Sequence, residues 1–302
     1  MLRSKPTYGN RLGFAFFHWT LKLIGLKPAY FFLLFVIPYY ILFKPSVFRS
    51  SDPYLRRRFP GKSLFTRYLI CFRYIYEFGT ILIEQVALGI RGTKDLKVIF
   101  PDRKKLYSIS EKKSGLVLLT THVGPWQSVM DTYDRMACNV HFHFDVENWK
   151  GGHFFDLASQ RQRFHFISPR GYFGGMVEIT KALLNGDCVA MMGDVADAKN
   201  SVNVVFFGDP AEFSTMPYHL ALSTGSDIAV LLTARTGPMT YTVEYECLTD
   251  NLDKENFSRD ELAVKLAGCY ADILERFLKK YPYMWFNFFD IWGRDPIKSF
   301  DS

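Results

Sequence analysis

From residue 115 to about residue 223, short apolar runs alternate with stretches of helical period, and this alternation limits the fold more than any other feature of the chain. The runs at 115–121, 139–146, 164–167, 188–193 and 202–207, followed by 228–233 and 240–247, are too short for buried helices and rich enough in Val, Ile, Leu and Phe to read as strands. Segments 125–135, 154–162, 173–184 and 217–223 carry helical period between them, and a longer helix is predicted over 259–280. A strand that returns to its sheet through a helix runs parallel to the strand it left. The predicted fold class is therefore α/β, a mostly parallel central sheet with helices on both faces and with active residues at the carboxyl ends of strands.

Ahead of that pattern, residues 12–43 form two apolar segments, split at Gly25-Leu26-Lys27-Pro28 and interrupted by Lys22. Residues 29–43 carry no charge but fall short of the roughly 20 residues that a perpendicular transmembrane helix needs. The expectation is an N-terminal hydrophobic helical anchor that is monotopic, tilted or re-entrant. No small-residue cleavage site follows, which argues against a removed signal peptide. Arg3, Lys5 and Arg11 precede the segment, and Lys44, Arg49, Arg56, Arg57, Arg58, Lys62 and Arg67 follow it. With both flanks basic, the positive-inside rule chooses no orientation, and two cytoplasmic flanks fit an anchor that enters and returns. From 63 to 88, Leu64, Tyr68, Cys71, Ile75, Phe78, Leu82 and Val86 recur at helical spacing, an amphipathic helix that packs on the following domain or lies at the bilayer surface. The chain is thus divided into a membrane-anchoring segment, residues 1–60, and an α/β domain, residues 61–302.

A net charge of +7 and an aromatic share of 17% favour anionic lipid or an acidic protein as partner. Nucleic acid is not expected, because the cations gather beside the apolar segment and no nucleic-acid module is present. The five cysteines stand singly in apolar surroundings with no CxxC pair, which points to free buried thiols in a reducing compartment.

The first strand of the alternating region ends in Thr120-Thr121-His122-Val123-Gly124-Pro125-Trp126-Gln127. It delivers an imidazole to the carboxyl edge of a sheet beside a helix start, a place for a general base. The block resembles the lipid A late acyltransferases, of lauroyl/myristoyl type, within the lysophospholipid acyltransferase superfamily, whose signature is His, four residues, then Asp or Glu. His122 matches and Gln127 stands at the acid position. The resemblance implies transfer of an acyl group from a thioester, with His122 as base and a carboxylate that orients its ring. Gln127 accepts a hydrogen bond through its amide oxygen but supplies no charge. Asp131, one helical turn on, or Asp145, at the end of the next strand, could supply it; with neither, the protein is slow or inactive.

Later blocks continue the resemblance. Phe166-Ile167-Ser168-Pro169-Arg170-Gly171 is similar to the superfamily's second block, which implies that Arg170, with Gly171, holds phosphate on the acceptor. Gly186-Asp187-Cys188-Val189-Ala190-Met191-Met192-Gly193-Asp194 is similar to the lipid A branch's strand ending in an acid, which places Gly193 and Asp194 among substrate-binding residues. Phe206-Phe207-Gly208-Asp209-Pro210-Ala211 and Tyr281-Pro282-Tyr283-Met284-Trp285-Phe286-Asn287-Phe288 resemble late blocks of that branch. The implied protein has a glycerolipid acyltransferase-like fold and needs no cofactor beyond acyl carrier protein or coenzyme A thioester as substrate. It acts on a membrane lipid or glycolipid acceptor at the cytoplasmic face of a bacterial inner membrane. Two other classes compete. A catalytically silent, membrane-bound partner of the same fold would account for Gln127. A metal-dependent hydrolase would account for His141-Phe142-His143-Phe144-Asp145-Val146-Glu147, which is similar to an HxHxD motif; His153 and His165 are available as further ligands, but nothing in their spacing recommends them. That motif normally continues with histidine, so no metal is expected and the face reads as a cleft wall. No GxSxG, Walker loop or Rossmann glycine fingerprint is present.

Overall fold

The computed structural model describes residues 11–126, 130–145, 162–195, 200–250, 252 and 256–293. Four helices come first: α1 (Arg11–Leu23), α2 (Leu26–Phe43), α3 (Pro45–Arg58) and α4 (Leu64–Arg91). Gly25, at a φ of 98°, breaks α1 from α2, and the Ser63 hydroxyl accepts from the Thr66 amide to cap α4. There follow β1 (Lys97–Ile99), α5 (Arg103–Glu111), β2 (Leu116–Thr120), α6 (Met130–Asp134), β3 (Val140–His143), β4 (Phe164–Ile167), α7 (Met176–Leu184), β5 (Cys188–Met192), β6 (Ser201–Phe206), β7 (Asp209–Ser214), α8 (Met216–Thr224), β8 (Asp227–Gly237), β9 (Thr240–Cys247) and α9 (Arg259–Lys280).

Seven strands form one sheet in the order β1-β9-β8-β2-β5-β3-β4. The five from β8 to β4 are parallel; β9 runs antiparallel to β8, and β1 runs with β9. The sheet is mostly parallel, as expected. Side chains alternate between its faces with period two. Val117, Leu119, Val189, Met191, Val230 and Leu232 enter one core with α7, α8 and α9. Leu116, Leu118, Ala190, Ala229 and Leu231 enter the other, with Leu106 and Ile109 of α5 and with Tyr133 and Met136.

Several elements depart from expectation. The run at 202–207 does not join the main sheet; β6 pairs with β7 in a separate antiparallel hairpin. Pro210 inside β7 disguised that strand, and an edge position in a two-stranded ribbon is where proline is tolerated. The three-residue β1 is too short to carry a pattern, and α3 hides behind Pro53 and three consecutive arginines. Of the helix expected over 125–135, α6 is the part present among the described residues, and the one expected over 154–162 lies outside them except at residue 162.

The N-terminal helices are packed on the sheet domain. Ala29, Leu33, Ile37 and Ile41, spaced one turn apart on α2, are buried with Ile83 and Ala87 of α4. A Cβ at Gly79 would stand 2.9 Å from Leu33, so the two helices touch almost backbone to side chain there. The opposite face of α2 exposes Phe31, Phe35, Leu42 and Phe43. By length and composition alone, α2 is apolar enough to cross a membrane. Tyr54, Leu55 and Tyr74, from α3 and α4, lie in the same core as β2 and β5. Cys71 and Cys188 are buried free thiols, and burial pushes the Cys71 thiol up to about 12; Cys269 is exposed, contrary to expectation.

Candidate active site

The parallel register of β2 on β5 pairs Thr120 with Met192. Two residues further along each strand stand His122 and Asp194, so adjacency of these two strands brings an imidazole and a carboxylate together across 72 residues of sequence. His122 Nδ1 lies 3.2 Å from Asp194 Oδ1 and 3.3 Å from Oδ2. An ionised carboxylate only accepts, so Nδ1 carries the hydrogen and Nε2 the basic lone pair. Asp194 is fully buried, while the His122 side chain is 38% exposed. The carboxylate also accepts from the His122 backbone amide at 3.1 Å and from the Trp285 indole Nε1 at 2.8 Å. A buried carboxylate without donors would be costly; here three groups donate to it.

Residues 122–124 are fixed by the chain's late segment. Val123 bridges antiparallel to Trp285, the Phe286 amide donates to the His122 carbonyl at 2.7 Å, and the Gly124 amide donates to the Met284 carbonyl at 2.7 Å. Gly124 has a φ of 52°, and a Cβ there would stand 1.9 Å from the Thr233 carbonyl oxygen, so only glycine fits between this turn and β8. Trp285 is itself fully buried, edge-on to Tyr54 and Phe206 and against Trp292. The Tyr74 hydroxyl donates to the Trp285 carbonyl, and the Tyr54 hydroxyl to the Pro282 carbonyl at 2.8 Å. Helices α3 and α4 thereby brace the segment that holds Asp194. Gly193 has a packing role: a Cβ there would stand 2.5 Å from the ring of Tyr270, whose hydroxyl pairs with Thr121 at 2.8 Å.

The other predicted residues are placed elsewhere. Strand order along the carboxyl edge sets His122 after β2, Asp194 after β5, Asp145 after β3 and Arg170 after β4. At about 4.8 Å per strand, Asp145 lies two strands, roughly 10 Å, from the histidine. Its carboxylate meets Arg170 Nε at 2.9 Å, so the pair expected to serve orientation and phosphate binding separately is joined in one ion pair. Asp145 is thus not the carboxylate at His122; Asp194, expected to bind substrate, occupies that place. The Gly171 amide donates to the Ser168 carbonyl, closing the turn that carries Arg170. Gln127 lies outside the described residues, and Asp131 falls in α6 with no side-chain placement described. The acid across the strands has one sequence signal, its place directly after a predicted strand, but the neighbour of that strand cannot be read from sequence.

The histidines of β3 have separate partners. His141 Nε2 meets Asp187 at 3.2 Å and its ring lies tilted against that of His165, while His143 Nε2 donates to the Gly174 carbonyl at 3.0 Å. Burial lowers both imidazole pKa values and keeps the rings neutral, although Asp187 opposes this at His141. Among the described residues no group of three His, Cys, Asp or Glu side chains converges as a metal site. Glu147 and His153 lie outside the described residues.

A family model described as bacterial lipid A biosynthesis acyltransferase matches residues 15–293. Among solved structures, the crystal structure of the 1-acyl-sn-glycerophosphate (LPA) acyltransferase from Thermotoga maritima is similar at 12% identity and a TM-score of 0.37, covering 82% of this chain and 97% of that one. No curated protein matches.

Proposed function

Since this chain belongs to the bacterial lipid A biosynthesis acyltransferase family, we propose that it moves a fatty acyl group from an acyl thioester, of acyl carrier protein or coenzyme A, to a hydroxyl of a membrane lipid or glycolipid. His122 is the general base in this reading and Asp194 the carboxylate that orients it. The observation that carries the reading is the contact of a half-exposed imidazole with a fully buried carboxylate that three donors fix in place.

The acceptor hydroxyl gives its proton to His122 Nε2 as its oxygen attacks the thioester carbonyl carbon. The tetrahedral oxyanion collapses, the carbon–sulfur bond breaks, and the imidazolium returns the proton to the departing thiolate. Asp194 stabilises the positive ring in between and holds the tautomer with the lone pair on Nε2. In this reading Asp194, just beyond β5, supplies the charge that Gln127 lacks, which favours an active enzyme over a silent partner. The apolar outer face of α2 and the cations that follow it support action at a membrane surface, which we place at the cytoplasmic face of the inner membrane.

The test is mass spectrometry of lipids from cells that carry the wild-type gene, no gene, or His122→Ala. An acyl-mass difference that requires His122 identifies activity and acceptor together. A difference that persists with His122→Ala would refute this mechanism.

A further inference from the structure

A cavity of about 260 Å³ lies where α4, the β8–β9 turn and the segment after α9 meet. Its walls include Arg73, Arg235 and Lys280, the rings of Tyr281 and Tyr283, and one carboxylate, Glu77. Arg235 is locked by Glu84 at 2.9 Å and Glu77 at 3.4 Å, and Lys280 by Glu244 at 2.6 Å. The Glu84 carboxylate, fully buried behind the wall, is engaged in turn by Tyr30, Tyr241 and the Met239 amide. Arg73 differs from these neighbours. Among the described residues it enters no ion pair; its guanidinium lies 4.4 Å from the centre of the Tyr283 ring, and that ring stacks on Phe59. Stacking fixes the plane of the fork and leaves its edge donors for a ligand.

The surroundings select the ligand. Phe65, Leu69 and Arg73 follow one another at one-turn spacing on α4, and Phe65 and Leu69 are exposed. An apolar stripe that ends in a cation at the mouth of a cavity matches a molecule with acyl chains on one side and an anionic head on the other. We infer that this cavity binds the phosphate of an anionic lipid headgroup, with Arg73 as the principal donor. Met284 lines it and bonds Gly124, two residues from His122, so the site lies beside the catalytic edge but apart from His122 and Asp194. The inference goes beyond the acyl-transfer reading, and its test is a binding measurement that does not depend on turnover.

The experiment is calorimetric titration of the detergent-solubilised full chain with dihexanoyl phosphatidic acid, dihexanoyl phosphatidylcholine and inorganic phosphate. The expected result is saturable binding of the phosphatidic acid, weakened about tenfold or more by Arg73→Ala, as loss of a charge-assisted fork implies. Arg73→Lys should retain part of it. Lys279→Ala, a change to an exposed cation outside the cavity, should leave it unaltered, and an unshifted melting temperature of Arg73→Ala excludes misfolding. Inorganic phosphate that binds as tightly as the lipid, with the same dependence on Arg73, would overturn the lipid source and assign the site to free phosphate. Equal affinity for phosphatidylcholine, or equal losses at Arg73 and Lys279, would overturn the site.

Discussion

At the scale of single residues, the arrangement turns on what Asp194 does for His122. Asp194→Asn keeps the size of the side chain and removes its charge, so the imidazolium of the proposed mechanism loses its stabiliser and the tautomer its constraint. Turnover should fall by as much as about 10⁴-fold, the scale of the comparable change in a serine-protease triad, with little change in KM. Trp285→Phe tests a positioning role. Without the indole donor the carboxylate is held less firmly against Nδ1, so kcat should fall about tenfold with KM little changed. A loss of packing alone would lower the melting temperature and leave the kcat of the folded protein in place. His122 was legible because a histidine after a short apolar run is a local pattern. Its partner was not. Asp194 could be seen as an acid at a strand end, but sequence assigned the orienting role to the nearer Asp131 or Asp145, since only the β2–β5 pairing shows which strand end lies next door.

At the scale of elements, one carboxylate ties α2 and α4 to the sheet. Glu84 of α4 accepts from Tyr30 of α2, Arg235 of β8, Tyr241 of β9 and the Met239 amide between those strands. Glu84→Ala leaves Arg235, largely buried, with Glu77 alone and strands two tyrosine hydroxyls, so it should cost about 3–5 kcal/mol, read as a lower melting temperature. Strand β3 carries a pH dependence. The lowered pKa values of His141 and His143 mean that below about pH 6.5 the unfolded chain binds protons that the folded one refuses. Stability is therefore full above that pH and falls as pH drops toward the folded values. The melting temperature should decline between about pH 7 and pH 5.5, and His143→Gln should flatten the decline. Strands and helices with a clear period, β4, β9 and α9 among them, were legible to the residue. The hairpin β6–β7 was not, because a period-two run says nothing of which sheet it joins.

At the scale of the whole molecule, the proposed membrane contact has to be reconciled with N-terminal helices that are built into the fold. Sequence separates residues 1–60 from the rest, yet α2 buries one face on α4 and α3 contributes Tyr54 and Leu55 to the main core. Deleting residues 1–45 would strip the cover from Ile83 and Ala87 and the Tyr30 hydroxyl from Glu84, so a loss of sedimentation in that variant would not separate anchoring from misfolding. The informative change leaves the inner face alone. Phe31, Phe35 and Leu42 are 56%, 66% and 73% exposed on the outer face of α2. Each large apolar side chain transferred from water contributes about 1.5–3 kcal/mol. Replacing all three with glutamine should therefore weaken partitioning into anionic vesicles roughly a thousandfold or more, while the melting temperature of the detergent-solubilised protein stays within a few degrees of the wild type. High salt should weaken what binding remains, because the cations of α3 then act against a screened surface. Vesicle flotation of wild type and triple variant at low and high salt reads both binding effects, and thermal melting reads the third; equal flotation of the two proteins would show that the outer face of α2 is not the surface that meets the bilayer.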